Sequence, residues 1–196
     1  MKDNYNTTVT GSLVKLVPYR PHHVERYHQW MQDPDLLEAT ASERLSLQEE
    51  YEMQQSWADD PKKCTFIILD RARPDTAGTE EHGGGMAGDV NVFLNDLDDP
   101  TVGEIEVMVA EGGSRRKGVA FEALSMFMAY LAAHMELTRF RAKIGDSNAS
   151  SLQLFRKLGF QQVSHSEVFR EQTLEWAVDA ACMQRGVQLV LGTYDN

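Results

Sequence analysis

The chain has 196 residues, with 42% hydrophobic and 25% charged side chains, which fits one soluble domain with a full apolar core. Its 30 acidic residues against 19 basic ones leave a net charge of −11, a surface that repels nucleic-acid phosphates and anionic lipid. The expected partners therefore include no nucleic acid and no membrane, while a cationic substrate is compatible. The two cysteines, Cys64 and Cys182, stand far apart and belong to no CxxC pair or His/Cys cluster, so no metal site is expected. Met1–Thr10 is polar and lacks the apolar centre of a secretion signal, and no apolar run reaches the ~20 residues of a membrane span. These features imply the cytosol, or the cytosol and nucleus.

In chain order, Leu13–Val17 is an apolar run stopped by Pro18, as a strand is. Pro21 suits a helix start, and Val24, Tyr27, His28 and Met31 follow at helical spacing, with Asp33-Pro34 read as the end. Ser46 and Glu49 form the sequence signature of a capping box, predicting a helix over Leu47–Trp57. Cys64–Leu69 is a short β-branched run read as a buried strand, and Arg71–Gly85 reads as a mobile Gly/Pro/Asp-rich loop. Met86–Leu94 and Glu104–Ala110 are the next strands. Alternation along the latter puts Ile105, Val107 and Val109 on one face and Glu104, Glu106 and Met108 on the other.

A long helix is expected from about Lys117 to Glu136, then a strand over Thr138–Ile144 and a helix over Ser151–Leu158 ending at Gly159. Phe160–Val168 and Gln172–Val178 close the pattern, and the tail from Asp179 onward has no clear type. The order is β-α-α-β-β-β-α-β-α-β-β. It predicts an α/β fold in one domain spanning 1–196, with a single mixed central sheet of about seven strands flanked by helices.

Chemistry concentrates where the Glu104–Ala110 strand feeds the long helix through Glu111-Gly112-Gly113-Ser114 and Arg115-Arg116-Lys117-Gly118-Val119-Ala120. The first turn of a helix carries unpaired N–H donors and a positive dipole end, a cradle for a pyrophosphate. Gly118 permits close backbone approach, and three consecutive cations stand out in an acidic chain. The loop is neither a Walker A loop nor GxGxxG. Taken alone, a solvated basic turn ahead of an ordinary helix explains it equally well.

A second motif tips the balance. Arg115-x-x-Gly118-x-Ala120 resembles the R/Q-x-x-G-x-G/A signature of the GNAT superfamily of N-acetyltransferases. Asn148-Ala149-Ser150-Ser151-Leu152-Gln153-Leu154-Phe155-Arg156-Lys157-Leu158-Gly159-Phe160 resembles that superfamily's N-x-x-S/A…(Y/F)-x-K-L-G-F helix. Val14–Tyr19, Thr40–Glu43, Lys63–Ile67, Gly88–Asn91 and Ala142–Gly145 look like the N-acetyltransferase 9-like family, and the resemblance covers about residues 9–176.

The resemblance implies an acyl-CoA N-acyltransferase fold that takes acetyl-CoA as donor, without a metal, and acetylates an amine, with a protein or peptide amino group as acceptor. By that likeness Arg116, Lys117, Gly118, Val119 and Ala120 hold the pyrophosphate, with Arg115 at the loop's entry. Met108, Val109 and Ala110 bond the pantetheine like an added strand. Asn148 and Ser151 line its other side, and Phe155 packs near the thioester. The amine must lose a proton to attack, and Glu104 and Glu106 are the base candidates, with His28 and Asp89 behind them. Many relatives carry Tyr where Phe155 stands, as the presumed general acid; Phe155 has no proton to give. A polyamine acceptor, or a binding module without turnover, are the competing readings.

Overall fold

The computed structural model describes residues 4–178 and 189–194. Among them nine strands form one mixed sheet: β1 Thr7–Thr10, β2 Val14–Pro18, β3 Lys63–Asp70, β4 Gly85–Phe93, β5 Val102–Val109, β6 Arg139–Gly145, β7 Gln161–Ser166, β8 Glu171–Ala177 and β9 Val190–Thr193. Their order across the sheet is β7-β8-β6-β5-β4-β3-β2-β1-β9. The helices are α1 Val24–Trp30, α2 Pro34–Ala39, α3 Leu47–Asp59, α4 Val119–His134 and α5 Ala149–Leu158, with a 3-10 turn over Pro21–His23 ahead of α1.

The expected mixed sheet is present, widened at one edge. The polar Thr7–Thr10 segment is a strand because it pairs antiparallel with β2 on one side and β9 on the other. The untyped tail supplies β9; the part over 179–188 lies outside the described residues. Asp33-Pro34 does not simply end a helix: the Asp33 carboxylate accepts from the Asp35 N–H at 2.9 Å and starts α2. The capping box at Ser46 and Glu49 forms as read, and α3 continues to Asp59. The long helix begins at Val119 rather than Lys117, because Gly118 is left-handed (φ +87°) and breaks the helical path.

Alternation along the central strands builds two cores. One lies under α4 and α5 and includes Leu16, Phe66, Ile68, Val90, Val92, Ile105, Leu124 and Phe127. The other lies under α1 and α3 and includes Val17, Tyr19, Tyr27, Trp30, Ile67, Leu69 and Met108. Loop 71–84 is organised by its own bonds: Thr79 Oγ1 donates to the Gly84 carbonyl at 2.8 Å, and the Gly84 N–H donates to the Asp75 carboxylate at 2.6 Å.

Candidate functional site

The parallel pair at the sheet's centre is incomplete. Among the described residues β5 and β6 pair only over Val102–Glu104 and Arg139–Arg141, although β5 runs on to Val109 and β6 to Gly145. The strands part after Glu104 and leave the outer half of β5 paired only with β4. An extended chain with amide groups, such as pantetheine, fits a strand edge of this kind. Because β5 and β6 are parallel, the helices that follow them, α4 and α5, begin at the same end of the sheet, on either side of the parting.

The other side of β5 is fixed tightly. A register shift between Ile68 and Leu69 lets Ala87 bulge, and its carbonyl accepts from both the Ala110 and Glu111 N–H groups, at 2.9 and 3.1 Å. At the neighbouring Gly88 a Cβ atom would lie 1.8 Å from the Met108 carbonyl oxygen, so only glycine allows this approach. The end of β5 is thus held to β4, while beyond Glu104 its far edge has no strand partner among the described residues.

The loop after β5 is anchored at three points. Glu111 accepts from Trp30 Nε1 at 2.7 Å and pairs with Arg26 and, at 2.9 Å, with Arg73. Burial opposes its charge, but these bonds and the two guanidinium charges outweigh that and hold its carboxyl below the usual range. Ser114, almost fully buried, donates to Asp70 at 2.6 Å. Arg115 turns back to the strand: its Nε donates to the Val109 carbonyl at 2.9 Å and its Nη2 to that of Ala110 at 3.2 Å. Its side chain therefore shapes the loop, and Arg115, Arg116 and Lys117 are all exposed.

Arg116 and Gly118 both have left-handed backbone, φ +61° and +87°. Alternating backbone of this kind turns successive N–H groups to one side, and α4 adds its unpaired first-turn donors. Val119 is buried and Ala120 partly so, which seats this end of the helix on the sheet. Glu122, one turn on, accepts the Ser12, Leu13 and Val14 N–H groups at 3.0, 2.7 and 2.8 Å, tying α4 to the β1–β2 hairpin. Basic loop, turned backbone and open strand edge suit a pyrophosphate joined to an extended amide chain.

At the start of α5 the Asn148 side chain caps the helix, accepting from the Ser151 N–H at 3.1 Å. Ser151 is partly exposed there, whereas Phe155 is a core residue, packed edge-to-face on Phe160 at 5.0 Å. The structure thus brings Met108, Val109, Ala110 and residues 115–120 together at one end of the sheet, with Asn148 and Ser151 opening the neighbouring helix there. Phe155 lies inside.

Glu104 and Glu106 share the face of β5 that looks toward α1 and α3, but differ in company. Glu104 pairs with Lys143 across the parting at 2.8 Å. Glu106 is reached by solvent yet surrounded by protein, and this desolvation raises its pKa to about 7. Lys63 and Lys143 lower it, while Asp89 and Glu104 raise it.

Behind Glu106 lies a polar layer that sequence reading did not assemble. Thr65, Asn91 and Glu106 are opposite one another on β3, β4 and β5, as are Ile67, Asp89 and Met108. Thr65 Oγ1 donates to Asn91 Oδ1 at 2.6 Å, and Asn91 Nδ2 donates to Asp89 at 2.6 Å. Buried Asp89 is raised to about 6, chiefly by desolvation, against the bonds and charges that lower it. It is a buried partner in this layer and not an exposed base. His28 is 4.0 Å from Glu50 of α3. Among the described residues no group of three or more His, Cys, Asp or Glu side chains is placed to hold a metal ion, and no helix is long and apolar enough to cross a membrane.

A parted parallel strand pair, a basic helix-capping loop and a carboxylate beside the gap define an acyl-CoA-dependent acyltransferase. Residues 14–161 match the family model described as an acetyltransferase (GNAT) domain, and the chain belongs to that family: it is an acetyl-CoA-dependent N-acetyltransferase. The N-acetyltransferase 9-like protein of Nematostella vectensis is 53% identical, over 90% of this chain and 88% of its own. The human alpha/beta-tubulin-N-acetyltransferase 9 is 49% identical, over 91% of this chain and 86% of its own. Among solved structures, a Vibrio cholerae spermidine N-acetyltransferase in complex with CoA and spermine has the same fold (TM-score 0.72, 14% identity, 89% of this chain and all of that one).

Proposed function

We propose that this enzyme acetylates a protein α-amino group, with tubulin the leading acceptor, and that Glu106 takes the proton from the amine. The observation that carries the base assignment is the placement of Glu106 on β5, beside the parting from β6 and raised to about 7. An α-ammonium loses its proton near pH 8, whereas a lysine side chain does so near 10.4. A base near 7 is therefore better matched to an α-amine than to a lysine. The acceptor class is further supported by mouse and human relatives, 51% and 49% identical, that are named alpha/beta-tubulin-N-acetyltransferase 9.

Bound acetyl-CoA supplies the activated acetyl group. The turned backbone over Arg116–Val119 binds its pyrophosphate, and the open edge of β5 from Met108 to Ala110 aligns the pantetheine. A β5 N–H near Met108 polarises the carbonyl to be attacked. Glu106 accepts the ammonium proton, directly or through one water, which frees the lone pair for attack. Phe155 cannot return a proton to the departing sulfur; a thiol of ordinary acidity, pKa about 8.5, leaves adequately as the thiolate.

The test is acetylation of peptides that copy the amino termini of α- and β-tubulin, against the same peptides with blocked α-amines and an internal lysine, and against spermidine. Transfer to the free α-amines alone is expected. Preference for spermidine, or equal transfer to blocked peptides, would overturn the acceptor reading.

A further inference from the structure

Lys63, the first residue of β3, is 2% exposed. Its ammonium lies 3.5 Å from the ring centroid of Trp57 on α3 and 3.5 Å from that of Phe93 on β4. Two ring faces at this distance satisfy a cation electrostatically without accepting a classical hydrogen bond. Accordingly Nζ has no hydrogen-bond partner among the described residues. A buried lysine held without a carboxylate bond is costly to keep charged, and a leucine or methionine would fill the same space at less cost.

The location gives the charge a use. Lys63 is opposite Phe93, and Phe93 is opposite Glu104; the next row along the same face is Thr65, Asn91 and Glu106. The cage thus lies one row from the cleft carboxylate.

We propose that Lys63 is a positioning residue for acetyl transfer: its ammonium, caged by Trp57 and Phe93, is the counter-charge that keeps Glu106 ionised beside the acceptor amine. This rests on the reading of Glu106 as the base. Because the rings take no proton and form no ion pair, the cage leaves the positive field of Lys63 free to act on Glu106. A direct salt bridge would instead tie the carboxylate up, as Lys143 does to Glu104.

The groups facing Glu106 can be named from each side. Lys63 stands on β3, Asp89 on β4, Glu104 on β5 and Lys143 on β6. Those acting on Lys63 are Glu106, Asp89, Asp60 and Cys64. Desolvation lowers Lys63 to about 8 against the pull of the three carboxylates, so it is still mostly charged at neutral pH. Lys143 is exposed to solvent and already engaged, which leaves Lys63 as the buried cation next to the base.

Coupling between two titrating groups is reciprocal, so it is measurable from either side. In the full chain, the Glu106 carboxylate is followed by carbon NMR in wild type, Lys63→Met and Lys63→Arg, with Glu106→Gln assigning the signal. The Lys63 ammonium is followed by nitrogen NMR in wild type and Glu106→Gln. In parallel, kcat/KM against pH is measured with acetyl-CoA and an α-amino peptide.

Lys63→Met is expected to move the Glu106 midpoint and the acidic limb of kcat/KM up by about one pH unit. Lys63→Arg keeps the charge and leaves both near wild type. Glu106→Gln is expected to lower the Lys63 midpoint by a similar amount, a measurement that stands even if Lys63→Met fails to fold. An unmoved Lys63 midpoint in Glu106→Gln, with the acidic limb lost in that variant, overturns this proposal and leaves the base assignment standing. An acidic limb that persists in Glu106→Gln removes the base assignment, and the role of Lys63 in transfer falls with it.

Discussion

Glu104 and Glu106 sit two residues apart on the same face of β5, yet Glu104 is held by Lys143 at 2.8 Å while Glu106 stands unclaimed by any ion pair among the described residues. Strand alternation makes the two equivalent on paper, and β6 breaks the tie. Arg141 lies opposite Glu104, and Lys143 reaches back to it from the start of the parting. One carboxylate staples the pair where it divides; the other lies just beyond, where β5 has no partner in β6 among the described residues.

The two therefore respond differently to loss of charge. Glu106→Gln is expected to lower kcat/KM about 100-fold or more and to remove its acidic limb. The proposed base works only when deprotonated, so wild-type activity is expected above about pH 7 and should be lost as pH falls through the Glu106 pKa. Glu104→Gln keeps a limb but moves it to lower pH, because the Glu104 charge is one of those raising Glu106. Profiles measured from pH 5 to 9 at subsaturating acceptor separate the two outcomes.

Gly118 carries a backbone constraint and, in the proposed pyrophosphate cradle, a ligand constraint as well. Its φ of +87° strains any side chain, and a Cβ would lie 3.2 Å from Leu13 Cδ1. Gly118→Ala is expected to cost about 1–2 kcal/mol in chemical denaturation and to retain measurable cofactor binding. Gly118→Asp adds an anion against the pyrophosphate and should weaken acetyl-CoA binding tenfold or more, about 1.4 kcal/mol, in calorimetry. Equal affinities for wild type and Gly118→Asp would show that the loop is not the cradle.

Much of this region is legible in the sequence because its signals are local. The Arg115–Ala120 and Asn148–Phe160 motifs, the Ser46/Glu49 capping box and the alternation of Glu104–Val109 each lie within one short continuous stretch of chain. What was missed depends on distant partners. Thr7–Thr10 and Val190–Thr193 are four residues each and become strands only by pairing with one another and with β2. Pro34 reads as a stop because proline ends helices, but it equally suits the first position of a new one capped by Asp33. The Lys63 cage draws its rings from α3 and β4, so no spacing rule joins Trp57, Lys63 and Phe93.

Glu122 shows how α4 is held in place. Its carboxylate accepts three consecutive backbone N–H groups of the β1–β2 hairpin, bonds to a charged acceptor that are stronger than neutral ones. Glu122→Ala leaves those donors without their acceptor and is expected to cost on the order of 2–3 kcal/mol, read from urea unfolding. Glu122→Gln retains one acceptor oxygen and should cost less. Hydrogen exchange at Ser12, Leu13 and Val14 should quicken in the alanine variant; unchanged protection there would mean the hairpin does not depend on α4.

Glu50 makes a separate, pH-dependent contribution to stability between α1 and α3. It is 1% exposed, one of its oxygens has no hydrogen-bond partner among the described residues, and burial raises its pKa from 4.5 to about 7. The folded state thus binds this proton more tightly than the unfolded state does. Between about pH 4.5 and 7 the contribution of Glu50 to stability falls as pH rises, because its charge must then be carried inside the fold. Glu50→Gln removes that charge and keeps the shape. The variant should gain melting temperature over wild type by more at pH 8 than at pH 5. A difference in Tm that is the same at both pH values would mean that the Glu50 carboxylate is relieved of its burial cost by some other group.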